Sequence, residues 1–366
     1  MTPRARTHHL PGRLHTPQTA IDFGGAIVRA IETCRRAEHR TLTLPREEPG
    51  TPYTENEIGF LIRSLRRVGF RARSVLAVLP KMAVRVLPIE LPPRAPAASL
   101  REIARAQAAE LTGLPAGMFE VAITTHADGD RPSSAAVCDH ETTRAFIDGF
   151  ASAKSTPAAL FPPATPLIAA ASRTAPAEAS SRWRPDADRG LNPLSLMIDA
   201  GWTNTTILAM RDGRSVLERH ITALGFGRVL ANLAAALGCD QHAARILAEQ
   251  GRHTSLDLAS ACAPHLRAFG LELEREIDAT SPYLSQITGE TPCEIILTGG
   301  ACDDDELVDW LDASTTVPVR VIRTEAVSGS PATLAALLPQ PHHAQPQPQR
   351  QPRVQTQVRA QSGSAA

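Results

Sequence analysis

At 366 residues the chain is longer than one hydrophobic core usually serves, so two lobes or several subdomains are expected. Apolar residues make up 43% and charged residues 21%, as in folded globular proteins, while 38 basic residues balance 38 acidic ones, which excludes the strong positive field of a nucleic-acid or anionic-lipid binder. Cys34, Cys138, Cys239, Cys262, Cys293 and Cys302 form no Cys-x-x-Cys pair and the sequence has no uninterrupted apolar run long enough to span a bilayer, so neither a zinc ribbon nor direct membrane insertion is expected.

Residues 1–18 are polar and basic, with no apolar core that would serve as a signal peptide, and read as a disordered leader of a cytoplasmic chain. A first lobe is expected over 19–92. In it Asp22 leads into a strand containing Ile27, Val28 and Ile31, and the capping box Thr54 to Glu57 opens a helix with the apolar stripe Ile58, Leu61, Ile62, Leu65 and Val68. SVLAVLP and AVRVLPIEL follow as strands, and Leu91-Pro92-Pro93 stops the pattern. A small α/β subdomain is expected over 93–155, with a capping box at Ser99 to Glu102, a helix toward Leu111, strands FEVAITT and SSAAVCD, and a helix after Asp139. Residues 156–171 return to the first lobe, and 172–193, rich in Ser, Pro and Arg, read as a flexible insertion.

The second lobe is expected over 194–338. SLMIDAG is a buried strand, and TTILAM and SVLERHI flank Asp212-Gly213 as a hairpin. Helices follow over Arg228 to Leu237, from an Asp240 cap to Glu249, and from Leu256 to about Leu284. Then come the strand EIILTGG, a helix from Asp303, the strand VPVRVI and a closing helix capped by Ser330. The carboxylates Asp303 to Glu306 are read as complementing a helix N-terminus, not as a metal cluster. Residues 339–366, a Gln/Pro-rich tail, are expected to be disordered, and His342-His343 within them carry no specific metal signal.

Three segments share one logic, a hydrophobic strand running into a turn of Asp, Gly or hydroxyl residues: IDFGGAIVR from Ile21, IDAGWTNTT from Ile198 and IILTGGA from Ile295. In the first two an aspartate stands two residues before a glycine, where backbone N–H groups can approach a polyphosphate because no Cβ intervenes. A carboxylate there needs a cation between it and phosphate, which points to Mg²⁺. One such turn is ordinarily structural; two in separate halves, followed by a Gly-Gly strand, are more specific.

These segments resemble the phosphate-1, phosphate-2 and adenosine elements of the actin, sugar-kinase and heat-shock-chaperone ATPase superfamily. Within it the chain resembles the PilM family of type IV pilus assembly, with the FtsA cell-division proteins next. Asp22, Gly24, Arg29 and Glu32 match the family's first turn, and Arg219, Gly225 and Gly227 match the arginine and glycine turn after its second hairpin. The resemblance covers about 19–338. It implies a two-lobed actin-like (ribonuclease-H-like) fold with a small inserted α/β subdomain, and a site for ATP and Mg²⁺ made by Asp22, Gly24, Gly25, Arg29, Asp199, Gly201, Thr203, Thr205, Gly225, Glu276, Gly299 and Gly300. Asp22 and Asp199 would be the metal ligands. It further implies a scaffold, peripheral to the inner membrane through the N-terminal cytoplasmic peptide of a PilN-like partner, with self-association left open.

The chain departs from that pattern at several places. Gly25 and Ala26 replace hydroxyl residues of the first turn, Trp202 stands where the family has a small residue, and Asp278-Ala279 replaces polar or basic residues expected near adenine. Pro282 is expected to bend the end of the long helix. Two other readings stay open: a nucleotide-free module like the cytoplasmic domain of the type II secretion protein GspL, and a sugar-kinase or phosphatase type of enzyme. The enzyme needs a base after the first hairpin, where LPKMAVRVLPIELPP is mostly apolar, so at most slow ATP turnover is expected.

Overall fold

The computed structural model describes residues 19–33, 39–92, 97–124, 133–173, 194–211, 214–248, 255–300 and 305–321. The expected leader, most of the 172–193 insertion, the Asp212-Gly213 pair, the Ser330 helix and the tail lie outside these residues.

The first half runs β1 (Thr19–Phe23), β2 (Ile27–Thr33), β3 (His39–Pro45), α1 (Glu55–Arg67) and β4 (Ser74–Val78). A single 3₁₀ turn (Lys81–Ala83) leads to β5 (Arg85–Ile89), α2 (Ala97–Thr112), β6 (Phe119–Thr124), β7 (Ser133–Asp139), α3 (His140–Ser152), β8 (Thr156–Phe161) and α4 (Ala164–Arg173). The second half runs β9 (Ser195–Ala200), β10 (Thr205–Arg211), β11 (Arg214–Ile221), α5 (Gly227–Leu237), α6 (Gln241–Ile246), α7 (Leu256–Thr288), β12 (Glu294–Gly299), α8 (Asp305–Ser314) and β13 (Val319–Val321).

Two five-stranded sheets repeat one topology, in the orders β3-β2-β1-β4-β8 and β11-β10-β9-β12-β13. In each, the central strand pairs antiparallel with a hairpin partner on one side and parallel with a crossover strand on the other. A three-stranded antiparallel sheet, β5-β7-β6, stands apart from both. The molecule is thus a two-lobed α/β protein with a smaller sheet set into its first half.

Alternation along the strands decides which faces are buried. In β1, Ile21 and Phe23 join Ile58, Ile62, Phe146 and Phe150 of α1 and α3, while Ala20 packs on the other face with Ile31, Leu76 and Val78. Phe23 meets Phe146 edge-on at 4.9 Å and Tyr53 at 5.4 Å between ring centroids, the geometry that the aromatic quadrupole favours. In the second lobe Leu196, Ile198 and Ala200 face Leu230, Leu233, Leu273 and Ile277 of α5 and α7. The opposite face, with Met197, Leu208, Met210 and Ile296, is covered by Ala164, Leu167 and Ala170 of α4, which directly follows the last strand of the first sheet. In the small sheet Ile89, Phe119, Ala135 and Val137 pack against Ala104 and Ala108 of α2.

Local signals set most helix ends. Thr54 accepts from Glu57 N at 3.2 Å, Asp139 from Thr142 N at 2.6 Å and Asp240 from Ala243 N at 2.8 Å. Some expectations need correction. Helix α2 begins at Ala97, so Ser99 lies inside its first turn and is not its cap. Val68 caps the end of α1 and is half-exposed instead of completing its buried stripe. Helix α7 runs through Pro264 and Pro282 to a left-handed Gly289, and hydroxyls beside Pro282 bond back to it, Thr280 to Glu276 O at 2.6 Å and Ser281 to Ile277 O at 2.9 Å.

The small sheet leans on the second lobe. Ser134 Oγ donates to Glu218 Oε2 of β11 at 3.2 Å, and the other carboxylate oxygen of Glu218 pairs with His220 Nε2 at 2.8 Å. Among the described residues no helix is long and apolar enough to cross a membrane.

Candidate functional site

The two central strands end at the same place, a cleft between the lobes. Asp22 pairs in register with Arg29 of β2 and Val78 of β4; Asp199 pairs with Thr206 of β10 and Thr298 of β12. The two aspartates therefore hold corresponding positions near the carboxyl ends of corresponding strands, where open α/β sheets present ligand sites.

The first turn is built from behind. Tyr53 Oη donates to Gly24 O at 2.7 Å, and Gly50 N and Arg46 Nη1 donate to Gly25 O at 2.7 and 3.2 Å. Arg46, its side chain fully buried, is held by Glu57 through Nε and Nη2 at 2.8 and 2.9 Å and lies 3.7 Å from the centre of the Tyr53 ring. With the carbonyls of Gly24 and Gly25 occupied behind the turn, its other side is left for the cleft. A Cβ on Gly24 would stand 2.5 Å from Ile27 O, so the hairpin closes only with glycine there.

The second turn closes through Gly201 N donating to Asn204 O at 3.1 Å, and is tied to the start of α5 by Phe226 N to Gly201 O and Gly227 N to Trp202 O, both 2.9 Å. Gly225 lies so close behind Trp202 and Thr203 that any Cβ would collide with their carbonyls. Gly299 ends β12 at φ +93°, and a Cβ there would stand 2.5 Å from both Ala200 O and Asp199 Oδ1.

Asp22, Gly24, Gly25, Arg29, Asp199, Gly201, Thr203, Gly299 and Gly300 all line this one cleft, whose volume is about 80 Å³. Trp202 is also on its wall, resting against Gly25 and Gly227. Three residues expected at the site are not on the wall. Thr205 is fully buried and donates its hydroxyl to Leu224 O at 2.7 Å. Gly225 supports the second turn from behind. Glu276 pairs with Arg219 at 2.6 Å, and that arginine also donates to Thr280 Oγ1 at 3.0 Å.

Of the cleft-lining residues that sequence reasoning did not place at the site, Lys81 is the charged one. Lys81, from the 3₁₀ turn after β4, crosses to the second lobe and pairs with Asp199 Oδ2 at 2.9 Å. The signal was a lone lysine within LPKMAV: a lysine in an apolar run is seldom buried without a partner.

Burial pushes the Asp22 carboxyl up to about 6; Arg29 opposes this, the Asp199 charge adds to it, and Lys81 opposes it. The Asp22 side chain has no hydrogen bond or ion pair among the described residues. Of the two aspartates expected as metal ligands, only Asp22 is unpaired, because Lys81 already sits on Asp199.

These residues fit a Mg²⁺-nucleotide. Among the described residues no three His, Cys, Asp or Glu gather into a metal cage, but Mg²⁺ is ordinarily held by one or two carboxylates, waters and phosphate oxygens. Asp22 is a desolvated, unpartnered carboxyl near a second carboxylate, an arrangement that a divalent cation relieves. The glycines keep backbone close to the cleft without Cβ atoms, and Arg29 and Lys81 supply positive charge for phosphate.

No protein-family model matches the chain, and no curated protein matches it by sequence. Among solved structures it is similar to the PilM-PilN type IV pilus biogenesis complex, with a TM-score of 0.66 at 18% identity, covering 87% of this chain and 96% of that one. Lesser similarity extends to the ethanolamine utilization protein EutJ from Carboxydothermus hydrogenoformans, TM-score 0.47 at 10% identity over 83% of each chain. An archaeal actin homolog, Ta0583, gives 0.40 at 13% identity over 87% of this chain and 96% of that one. The chain has a two-lobed actin-like fold that carries a small inserted sheet, and it shares its overall fold with the pilus biogenesis complex.

Proposed function

We propose that the chain is a PilM-type scaffold that binds Mg²⁺-ATP between its lobes and docks a PilN-like inner-membrane protein, so that it works in the cytoplasm at the membrane surface through that partner. The observation that carries this reading is the convergence of Asp22, Asp199 and Gly299-Gly300, from three separate strands, on one cleft. The fold shared with a PilM-PilN complex supports the choice of partner. Asp22 and Asp199 would hold the cation, whose charge would offset that of the phosphates. The glycine turns admit the phosphates, and Arg29 and Lys81 balance what charge remains. Turnover is slow in this reading, since the cleft carboxyls serve as ligands and leave no separate base to activate water.

A nucleotide-free interaction module is the second reading, favoured by the Lys81–Asp199 pair and by Trp202 on the cleft wall. The two are separated by calorimetric titration of the full chain with Mg²⁺-ATP, alongside pull-down by the N-terminal cytoplasmic peptide of a PilN-like protein. Saturable binding of both ligands supports the scaffold. Peptide capture with no nucleotide heat supports the module, and neither binding rejects both.

A further inference from the structure

Lys81 gives its ammonium three acceptors, all on the second lobe: Asp199 Oδ2 at 2.9 Å, Asp199 O at 2.6 Å and Asn204 O at 3.4 Å. An ammonium has three donors, so the group is fully satisfied by the protein. The two side chains are 12% and 16% exposed, well withdrawn from the water that makes surface pairs weak. Room for the lysine comes from Gly201, where a Cβ would stand 2.9 Å from Lys81 Nζ and 3.3 Å from its Cε. The second Asp-x-Gly turn is therefore shaped around a lysine of the opposite lobe.

We propose that Lys81 is a built-in cation of the cleft, holding the place on Asp199 that a divalent cation would take. Free Mg²⁺ is then kept out of the empty cleft, and metal gains Asp199 only with a polyphosphate that draws the ammonium away. The physical basis is competition at one carboxylate. A cation approaching Asp199 must displace a unit charge at 2.9 Å and also satisfy the carbonyls of Asp199 and Asn204 that the lysine leaves. A polyphosphate offers the mobile ammonium several charged oxygens in exchange, and its four-carbon stem lets it turn toward them. This exchange rests on the nucleotide-binding reading, but the exclusion of free metal does not need nucleotide and is tested without it.

The test is direct binding of Mn²⁺, followed by electron paramagnetic resonance, and thermal melts over a MgCl₂ series. Both use the full chain as wild type, Lys81→Met and Lys81→Met with Asp199→Asn, without nucleotide. Lys81→Gln, which keeps a donor for the carbonyls, serves where the Met variant fails to fold. The expected result is that wild type neither binds Mn²⁺ measurably nor melts higher in millimolar Mg²⁺. Removing the lysine should lower the metal-free melt and tighten Mn²⁺ binding by at least about tenfold, since one unit charge at contact distance is worth roughly that factor even at the dielectric of water. The added Asp199→Asn should abolish the gain. Tighter Mn²⁺ binding by the lysine variants supports the proposal whether or not wild type binds ATP. Equal Mn²⁺ affinity in wild type and the lysine variants overturns it.

Discussion

Asp22 and Asp199 stand at corresponding positions on the central strands of two sheets with the same order, yet only Asp199 has a counter-ion in direct contact. The asymmetry arises because Lys81 is in the first lobe and reaches across the cleft, while Arg29, the register partner of Asp22, reaches toward Gly300 instead: a Cβ on Gly300 would lie 3.8 Å from its Nη2. Asp22 is left desolvated, with its carboxyl raised to about 6.

That position has a stability consequence. A carboxyl raised in the folded state binds its proton more tightly there than in the unfolded chain. Its contribution is therefore favourable below about 3.8 and is lost as pH rises through about 6. Arg29, Lys81 and Asp199 are the charged groups facing it. Asp22→Asn, which keeps the shape, should raise the melting temperature at pH 7.5, the gain being on the order of 1–3 kcal/mol, and should leave little difference from wild type at pH 4. Melts of both proteins across pH 4–8 check this; an unchanged difference across the range would contradict it.

Gly299 is the second sensitive position. Its φ of +93° strains any L side chain, and a Cβ would press into Ala200 O, a backbone atom, and into Asp199 Oδ1, whose carboxylate is already held by Lys81. Gly299→Ala should cost more than about 2 kcal/mol, measured by urea denaturation. Gly113, also at positive φ but with open space around its Cβ direction, is the control, and Gly113→Ala should cost clearly less.

Tyr53 tests the support of the first turn. Tyr53→Phe removes only the hydroxyl that donates to Gly24 O at 2.7 Å and keeps the ring against Phe23. Stability should fall by about 1 kcal/mol, the usual worth of one hydrogen bond, while nucleotide affinity falls by about fivefold or more through the loosened turn. Arg46→Met should cost more, about 3 kcal/mol or above, since it unpairs Glu57, takes the donor from Thr51 O and leaves Gly25 O with Gly50 N alone. Urea denaturation and titration with Mg²⁺-ATP measure both terms.

Much of this was legible in the sequence because its carriers are local. A strand ending in Asp-x-Gly, or in Gly-Gly, announces a tight turn from a few adjacent residues, and the three turns do meet in one cleft. What was not legible depends on which side of a strand a residue takes, or on distant partners. Thr205, two residues beyond Thr203, begins β10 and turns its hydroxyl to the buried Leu224 carbonyl. Glu276 is held by Arg219, a partner far away in the chain. The edge strand β3 alternates Arg40, Thr41 and Thr43 with Leu42 and Leu44, a pattern too polar to stand out, and the short α4 begins beside prolines and is rich in alanine. Lys81 belongs to the same class: its role comes from a partner in the other lobe.

The central claim, that Asp22 and Asp199 form a Mg²⁺-nucleotide site, is tested most directly by thermal melts of wild type, Asp22→Ala and Asp199→Ala with and without Mg²⁺-ATP. Wild type should be stabilised by about 2.7 kcal/mol at a hundredfold excess over the dissociation constant, and neither variant should respond. Identical wild-type melts with and without Mg²⁺-ATP, or a full shift retained by either variant, would contradict the account.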